Sequence, residues 1–221
     1  MRVCQGEFGQ RVLQAIQGRA LILPGFSLLV LAGGESRRMG VPKHLLPFQG
    51  VTILDHILKR LDGLFDEVLL AGRTPGLYPA GVVPVMDVKP VRCPLVGILS
   101  GLLAARNPYL FVIGCDMPLI ETSLVKMLCS TENGSADVIV PMVRGFYEPL
   151  CAVYSRACAD RIEDFIDAGN TKTTGFYPLV TVREVSEESV RACDPQLNSF
   201  VNLNTPGEFR QHCRAMPGSK G

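Results

Sequence analysis

The feature that most constrains this chain is a short apolar run that ends in a glycine pair. Residues 28–32 read LLVLA, and Gly33 and Gly34 follow directly. Nearly continuous apolar strands are typical of parallel sheets that helices cover on both faces. Glycine backbone, which lacks a β-carbon, lets a ligand approach closely. The run therefore predicts a central strand of an α/β fold that ends in a loop suited to binding.

Three cationic side chains follow the glycines, namely Arg37, Arg38 and Lys43. Guanidinium groups match phosphate oxygens in geometry, and lysine acts as a point charge. Successive backbone N–H groups of such a loop also converge on anions. A glycine pair alone is more often an ordinary strand-to-helix turn. With the cations added, the loop predicts a polyphosphate site.

Strands and helices alternate through the first half of the chain. Strands are expected at residues 44–48, 67–71, 82–86 and 109–114. Helices are expected at residues 53–61, with Thr52 as the N-cap, and at residues 94–105. The last two strands are followed by acids, Asp87 and Asp116. Ligands of open α/β sheets bind beyond the carboxyl ends of the strands. We therefore expect the glycine loop, Asp87 and Asp116 to face one crevice.

In the second half of the chain, strands and helices no longer alternate regularly. The apolar stretches 136–142 and 147–154 lie too close together for a crossover helix and predict an antiparallel pair. Further strands are expected at residues 181–185 and 200–203, and a helix is expected to open at Thr205 and Pro206. The predicted fold class is a three-layer α/β/α sandwich, with a mostly parallel Rossmann-like sheet and an antiparallel addition in the second half.

Composition limits the partners and the compartment. Lysine and arginine number 22 against 21 aspartates and glutamates, so no net field favours nucleic acid or a membrane surface. No segment approaches the roughly 20 apolar residues of a membrane span, and the eight cysteines contain no C-x-x-C pair. We expect a cytoplasmic protein with a single domain at residues 27–216, an N-terminal extension at 1–26 and a frayed tail at 217–221.

A carboxylate after an apolar strand, opposite a cationic loop, suits phosphoryl or nucleotidyl transfer. Asp116 is predicted to bind Mg²⁺, which prefers one or two carboxylates together with substrate phosphates. The alternative is that Asp116 only caps the turn before Pro118. Asp87 is equally well explained as a structural residue. His44 and His56 have no partners at ligand spacing and are interpreted as packing or surface residues.

Five segments carry a shared pattern: LAGGESRRMGVPK, PLVGILSGL, GCDMP, YEPLCAVY and FVNLNTPGEF. In order and spacing, over about residues 27–212, they resemble the MobA-like molybdenum cofactor guanylyltransferases of the nucleotidyltransferase fold. The resemblance implies a Mg²⁺-dependent enzyme that uses GTP. The terminal phosphate of molybdopterin, or of its molybdenum-loaded form, would attack the α-phosphate of GTP. Pyrophosphate would leave, and a guanine dinucleotide cofactor would form.

The resemblance also implies roles for individual residues. Leu31, Ala32, Gly33 and Gly34 would lie near the nucleotide, Arg38 and Lys43 at the triphosphate, Asp116 at the magnesium, Asp87 near the base and ribose, and Asn202 and Asn204, with residues 147–149, on the pterin side. A carboxylate at Asp87 suits guanine, because it accepts from N1–H and the 2-amino group together.

Two alternatives remain at this point. One is a related cytidylyltransferase or another nucleotidyltransferase for sugar or alcohol phosphates. The other is a catalytically inactive nucleotide-binding adaptor that acts with cofactor-delivery or molybdoenzyme-maturation proteins. The presence of Arg38, Lys43 and Asp116 together favours an active enzyme.

Overall fold

A computed structural model describes residues 23–32, 43–72, 78–132 and 134–203. These residues form a central sheet with helices on both faces. The sheet has eight strands, and seven of them follow the order β10 (Val182–Val185), β7 (Val138–Val143), β9 (Cys151–Ser155), β6 (Tyr109–Gly114), β1 (Phe26–Leu31), β4 (Val68–Ala71) and β5 (Val82–Val85). Strand β8 (Phe146–Tyr147) is paired to β7 alone, and a separate two-stranded ribbon, β2 (Pro47–Phe48) with β3 (Val51–Thr52), lies outside the sheet.

The first half of the chain supplies the parallel part of the sheet. Its strands are β1 (Phe26–Leu31), β4 (Val68–Ala71), β5 (Val82–Val85) and β6 (Tyr109–Gly114). Strand β1 pairs in parallel with β4 and with β6, and β5 extends the sheet beyond β4. The ribbon strands are β2 (Pro47–Phe48) and β3 (Val51–Thr52). The parallel sheet expected from the apolar runs is confirmed.

The second half adds the antiparallel part. Its strands are β7 (Val138–Val143), β8 (Phe146–Tyr147), β9 (Cys151–Ser155) and β10 (Val182–Val185). Strand β9 runs antiparallel to both β6 and β7, whereas β10 runs parallel to β7. The predicted fold class, with its antiparallel addition, is therefore confirmed.

Helices cover the two faces in separate groups. They are α1 (Ile53–Arg60), α2 (Pro94–Ala104), α3 (Thr122–Ser130), α4 (Ala159–Asp167) and α5 (Glu187–Cys193). Apolar residues of α1, α3 and α5 belong to one core cluster, and those of α2 and α4 to the other. Along β1, Leu28 and Val30 join the first cluster while Leu29 and Leu31 join the second. This alternation of side chains along a strand produces the three layers.

Helix α2 approaches the sheet closely because two of its residues are glycines. A β-carbon on Gly97 would lie 2.7 Å from Leu31 Cδ2, and one on Gly101 would lie 2.6 Å from Leu29 Cδ2. The missing side chains let the helix axis sit against β1. The close packing of this helix on β1 therefore depends on two glycines that lie one helical turn apart.

A buried carboxylate joins chain segments at the amino ends of the parallel strands. Glu67, 7% exposed, accepts hydrogen bonds from Ser27 Oγ at 2.5 Å and from Arg106 N at 2.8 Å. Arg106 Nε also forms an ion pair with Glu67 Oε1 at 2.9 Å, and Asn107 Nδ2 donates to Ser27 Oγ at 3.1 Å. We call this edge of the sheet the amino-end edge.

Three local predictions are corrected. Residues 200–203 form no strand, because a 3₁₀ turn at Asn198–Phe200 precedes an irregular segment. The stretch 147–154 is split into β8 and β9, since Pro149 has no N–H to continue the ladder. Residues 43–45 form a 3₁₀ turn, which leaves only Pro47–Phe48 as a strand. The helix expected from Thr205 lies outside the described residues.

Within the described ranges, no helix combines the length and the apolar content that a bilayer crossing needs.

Candidate active site

The carboxyl ends of the parallel strands form a single edge, which we call the carboxyl-end edge. It contains the residues that follow β1, β4, β5 and β6. Two backbone hydrogen bonds join these ends: Ala32 N donates to Ala71 O at 2.8 Å, and Cys115 N donates to Leu31 O at 3.1 Å. Because these bonds continue the sheet past the strand ends, the loops that follow start from fixed positions.

Leu31 and Ala32 lie at the end of β1 with their side chains in the core. They are 7% and 5% exposed, respectively. Their side chains therefore contribute to packing, and the glycine pair follows directly after them in the sequence. The predicted loop residues Gly33, Gly34 and Arg38 lie outside the described residues.

Lys43 begins the 3₁₀ turn Lys43–Leu45, directly after the loop. The next residue, His44, is 2% exposed, and its Nδ1 has no hydrogen-bond partner among the described residues. Burial lowers the pKa of His44 below its ordinary value. His44 is therefore a buried residue, in agreement with its interpretation as a packing residue.

Asp116 follows β6 by two residues and is half-buried. Its carboxylate folds back over the strand end, because a β-carbon on Gly114 would lie only 2.5 Å from Asp116 Oδ1. Cβ atoms do not approach an oxygen so closely, so this placement of the carboxylate depends on glycine at position 114. The sequence identified Asp116 but gave no reason to single out Gly114.

The segment before residue 204 meets the Asp116 turn directly. Leu203 N donates to Asp116 O at 2.9 Å, and the neighbouring Asn202 is exposed. Leu203 itself is buried in the core. Asn202 therefore precedes the residue that bonds to Asp116, whereas Asn204 lies outside the described residues.

Asp87 lies at the same edge, two residues beyond β5, and is half-buried. The next residue, Val88, donates its backbone N–H to Ser100 Oγ at 3.0 Å. Ser100 is 1% exposed, and its hydroxyl donates to Val96 O at 2.7 Å. The peptide group that follows Asp87 is therefore fixed by a buried hydroxyl of α2, which sequence reasoning missed.

The turn at residues 148–150 completes the edge on the side of β9. Tyr154 Oη, which is fully buried, donates to Pro149 O at 2.8 Å. Gly114 N donates to Leu150 O at 3.0 Å. This turn is therefore attached both to its own strand and to the end of β6.

Glu148 is a half-buried carboxyl group in that turn. Burial raises the pKa of Glu148 above its ordinary value, and the positive charge of Arg144 partly opposes the shift. Glu148 therefore retains a proton at higher pH than an exposed glutamate does. The turn therefore carries a carboxyl group whose pKa is set by burial and by the charge of Arg144.

The donor set at this edge fits a magnesium ion that arrives with a nucleotide. No group of three or more histidine, cysteine or acidic side chains that would cage a metal occurs in the described part of the chain. Mg²⁺ is usually held by one or two carboxylates plus substrate phosphates. Asp116, with its carboxylate turned over the end of β6, matches that arrangement.

The fold is an open α/β sheet, and ligands of such sheets bind beyond the carboxyl ends of the parallel strands. The chain matches the family model described as the MobA-like NTP transferase domain over residues 28–179, and it belongs to that family. It is therefore a nucleotidyltransferase.

Relatives and solved structures agree with this assignment. The chain is 36% identical over 185 residues to the molybdenum cofactor guanylyltransferase of Desulfosudis oleivorans, covering 83% of this chain and 92% of that protein. It is 34% identical over 194 residues to the protein of the same name from Syntrophotalea carbinolica, covering 87% and 92%.

Two solved structures share the fold. The molybdopterin-guanine dinucleotide biosynthesis protein A of Archaeoglobus fulgidus has a TM-score of 0.74 at 24% identity, covering 86% of this chain and 100% of that one. The 2-C-methyl-D-erythritol 4-phosphate cytidylyltransferase of Thermus thermophilus has a TM-score of 0.62 at 18% identity, covering 84% and 95%.

The buried His44 leads to a prediction about acid stability. Its folded pKa is lowered, so the unfolded chain binds more protons as the pH falls below the ordinary value of about 6.5. The free energy of unfolding should be fully retained above that pH and decrease below it, by at most about 1.4 kcal/mol per pH unit for each such histidine. Urea unfolding between about pH 8 and about pH 5 measures this slope.

His44→Leu removes one titrating group and should flatten the slope. His56→Leu should flatten the slope in the same way, because burial also lowers the pKa of His56. The His56 ring packs edge-on against Phe48, with the ring centroids 4.7 Å apart. An acid slope that is identical in wild type and in His44→Leu would contradict this account.

Proposed function

We propose that this protein transfers GMP from GTP to molybdopterin or its molybdenum-loaded form, forming a guanine dinucleotide and releasing pyrophosphate. The observation that carries the proposal is the 2.9 Å bond between Leu203 N and Asp116 O. It joins the segment that bears Asn202 to the acid that follows β6. Relatives with the name molybdenum cofactor guanylyltransferase support the same choice.

The edge is long enough for a nucleotide to lie along it. Strands β4 and β1 separate β5 from β6, so Asp87 and Asp116 follow strands roughly 14 Å apart at the usual strand spacing of about 4.8 Å. We assign the base to the Asp87 side and the α-phosphate to the Asp116 side. The cationic loop, with Arg38 and Lys43, would then hold the triphosphate between them.

Asp87 supports guanine over cytosine by its chemistry. A carboxylate accepts hydrogen bonds from N1–H and the 2-amino group of guanine together, and cytosine offers no such pair of donors. The bond from Val88 N to the buried Ser100 Oγ keeps the peptide after Asp87 in one orientation. Less of the chain around Asp87 then has to be ordered when a base binds.

Transfer needs no protein nucleophile. A phosphate oxygen of the acceptor bonds to the α-phosphorus of GTP, the bond from that phosphorus to the bridging oxygen breaks, and pyrophosphate leaves with the bond electrons. Asp116 would hold the Mg²⁺, which when bound neutralises charge on the triphosphate. The chain's own contribution is to bring the two substrates together in a fixed orientation.

The test of this proposal is transfer itself. Purified protein is incubated with Mg²⁺, molybdopterin and either GTP or CTP, and pyrophosphate and the dinucleotide product are measured. We expect pyrophosphate with GTP and molybdopterin together, much less with CTP, and none without the acceptor. Preference for CTP would indicate a cytidylyltransferase, and nucleotide binding without transfer would indicate an inactive adaptor.

Gly114→Ala tests the role of Asp116 without altering its carboxylate. The added β-carbon would lie 2.5 Å from Asp116 Oδ1, so the carboxylate has to move away. Displacement of a reacting group by about 1 Å costs on the order of 100-fold in rate. We therefore expect a fall in turnover of that order while the protein remains folded by circular dichroism.

Gly101→Ala is the matched control for crowding. Its β-carbon would meet Leu29 Cδ2 at 2.6 Å, in the core and away from the edge. This variant should retain turnover even where its stability changes. Normal turnover in Gly114→Ala would remove Asp116 from the transfer site.

A further inference from the structure

A second buried carboxylate, Asp194, lies after α5 and is 1% exposed. Both of its oxygens accept hydrogen bonds from backbone N–H groups: Oδ1 from Asn198 at 3.0 Å and Oδ2 from Ser199 at 2.7 Å. Its own carbonyl accepts from Leu197 N at 3.0 Å. Asp194 therefore determines the course of the 3₁₀ turn Asn198–Phe200.

That turn is connected to the segment that follows β6 at two points. Ser199, fully buried, accepts a hydrogen bond at its Oγ from Glu121 N at 2.9 Å. Further along, Leu203 N donates to Asp116 O at 2.9 Å. The stretch of chain held by Asp194 thus contacts the beginning and the end of residues 116–121.

We propose that Asp194 is a positioning residue for the transfer reaction, which holds Asn202 on the acceptor side of Asp116. This inference rests on the proposed function. Asp194 contacts no reacting atom in this account. It acts through the turn, because water does not reach a carboxylate that is 1% exposed and so does not replace its two N–H bonds.

The two acidic residues that are buried in the described part of the chain, Glu67 and Asp194, have different positions. Glu67 also accepts a backbone N–H bond, from Arg106 N at 2.8 Å, and is 7% exposed. It lies at the amino-end edge, whereas Asp87 and Asp116 lie at the other end of the parallel strands. Glu67→Gln is therefore a matched control for loss of a buried carboxylate away from the site.

The experiment measures steady-state kinetics and hydrogen exchange on the full chain. Asp194→Asn keeps the size of the side chain but replaces one accepting oxygen with an NH₂ group that faces an N–H donor. We expect the KM for molybdopterin to rise about tenfold, with a fall in kcat, as loss of a buried hydrogen bond implies. The KM for GTP should stay within about twofold, since base and triphosphate lie elsewhere along the edge.

Exchange of the backbone amides at residues 196–203 should accelerate in Asp194→Asn, and Glu67→Gln should change neither this exchange nor either KM. If Asp194→Asn does not fold, the same measurements are made on Ser199→Ala. That variant removes the acceptor for Glu121 N and should raise the molybdopterin KM in the same direction.

The outcomes separate the two claims. An active wild type with unchanged molybdopterin KM in a folded Asp194→Asn would overturn the role of Asp194 alone, as would an equal rise in both KM values. A wild type that binds GTP but transfers nothing to molybdopterin would overturn the proposed function and, with it, this role for Asp194.

Discussion

Strand β1 pairs in parallel with β4 and β6, and both of its faces are covered by helices. Leu28 and Val30 pack on one side, and Leu29 and Leu31 pack on the other. Every side chain of β1 is buried. A ligand can therefore reach this part of the chain only beyond the end of the strand. The glycine pair stands at that point in the sequence, and the acids that follow β5 and β6 are brought to the same edge.

The two edges of the sheet are stabilised differently. At the amino-end edge, Glu67 forms an ion pair with Arg106 and also accepts hydrogen bonds from Ser27 and from the Arg106 backbone. At the carboxyl-end edge, backbone groups supply most of the connections: Leu31 to Cys115, Ala32 to Ala71, Gly114 to Leu150 and Asp116 to Leu203. These four bonds use main-chain atoms and not the side chains of this edge.

Much of the fold was predictable because its signals are local. The apolar run at Tyr109–Gly114 gave the bounds of β6, and Thr52 gave the start of α1, where its hydroxyl accepts from Asp55 N at 3.0 Å. The segment at residues 200–203 was wrongly predicted as a strand. Its course depends on the Asp194 carboxylate, which accepts hydrogen bonds from the N–H groups of Asn198 and Ser199, and no apolar periodicity reveals such side-chain-to-backbone bonds. The single strand predicted at residues 147–154 was also wrong, because Pro149 interrupts the strand. Proline is a local signal, so this break can be read from the sequence.

The site was predictable to a lesser degree. Asp87 and Asp116 were expected at one edge from topology, and the sheet order places them there. The contact between Leu203 and Asp116 and the bond from Val88 to Ser100 join residues distant in sequence, and the dependence of Asp116 on Gly114 is a local steric effect. They require the packed chain, because the partners are distant in sequence or invisible to a hydrophobic pattern.

The central claim is that a nucleotide lies along the carboxyl-end edge, with its base toward Asp87 and its α-phosphate toward Asp116. A crystal structure of the protein with GTP and Mg²⁺ tests this claim most directly. The account predicts the metal at Asp116, the triphosphate over the loop that ends at Lys43, and guanine donors on the Asp87 carboxylate. A nucleotide bound in the reverse direction, or at the edge that contains Glu67, would contradict it.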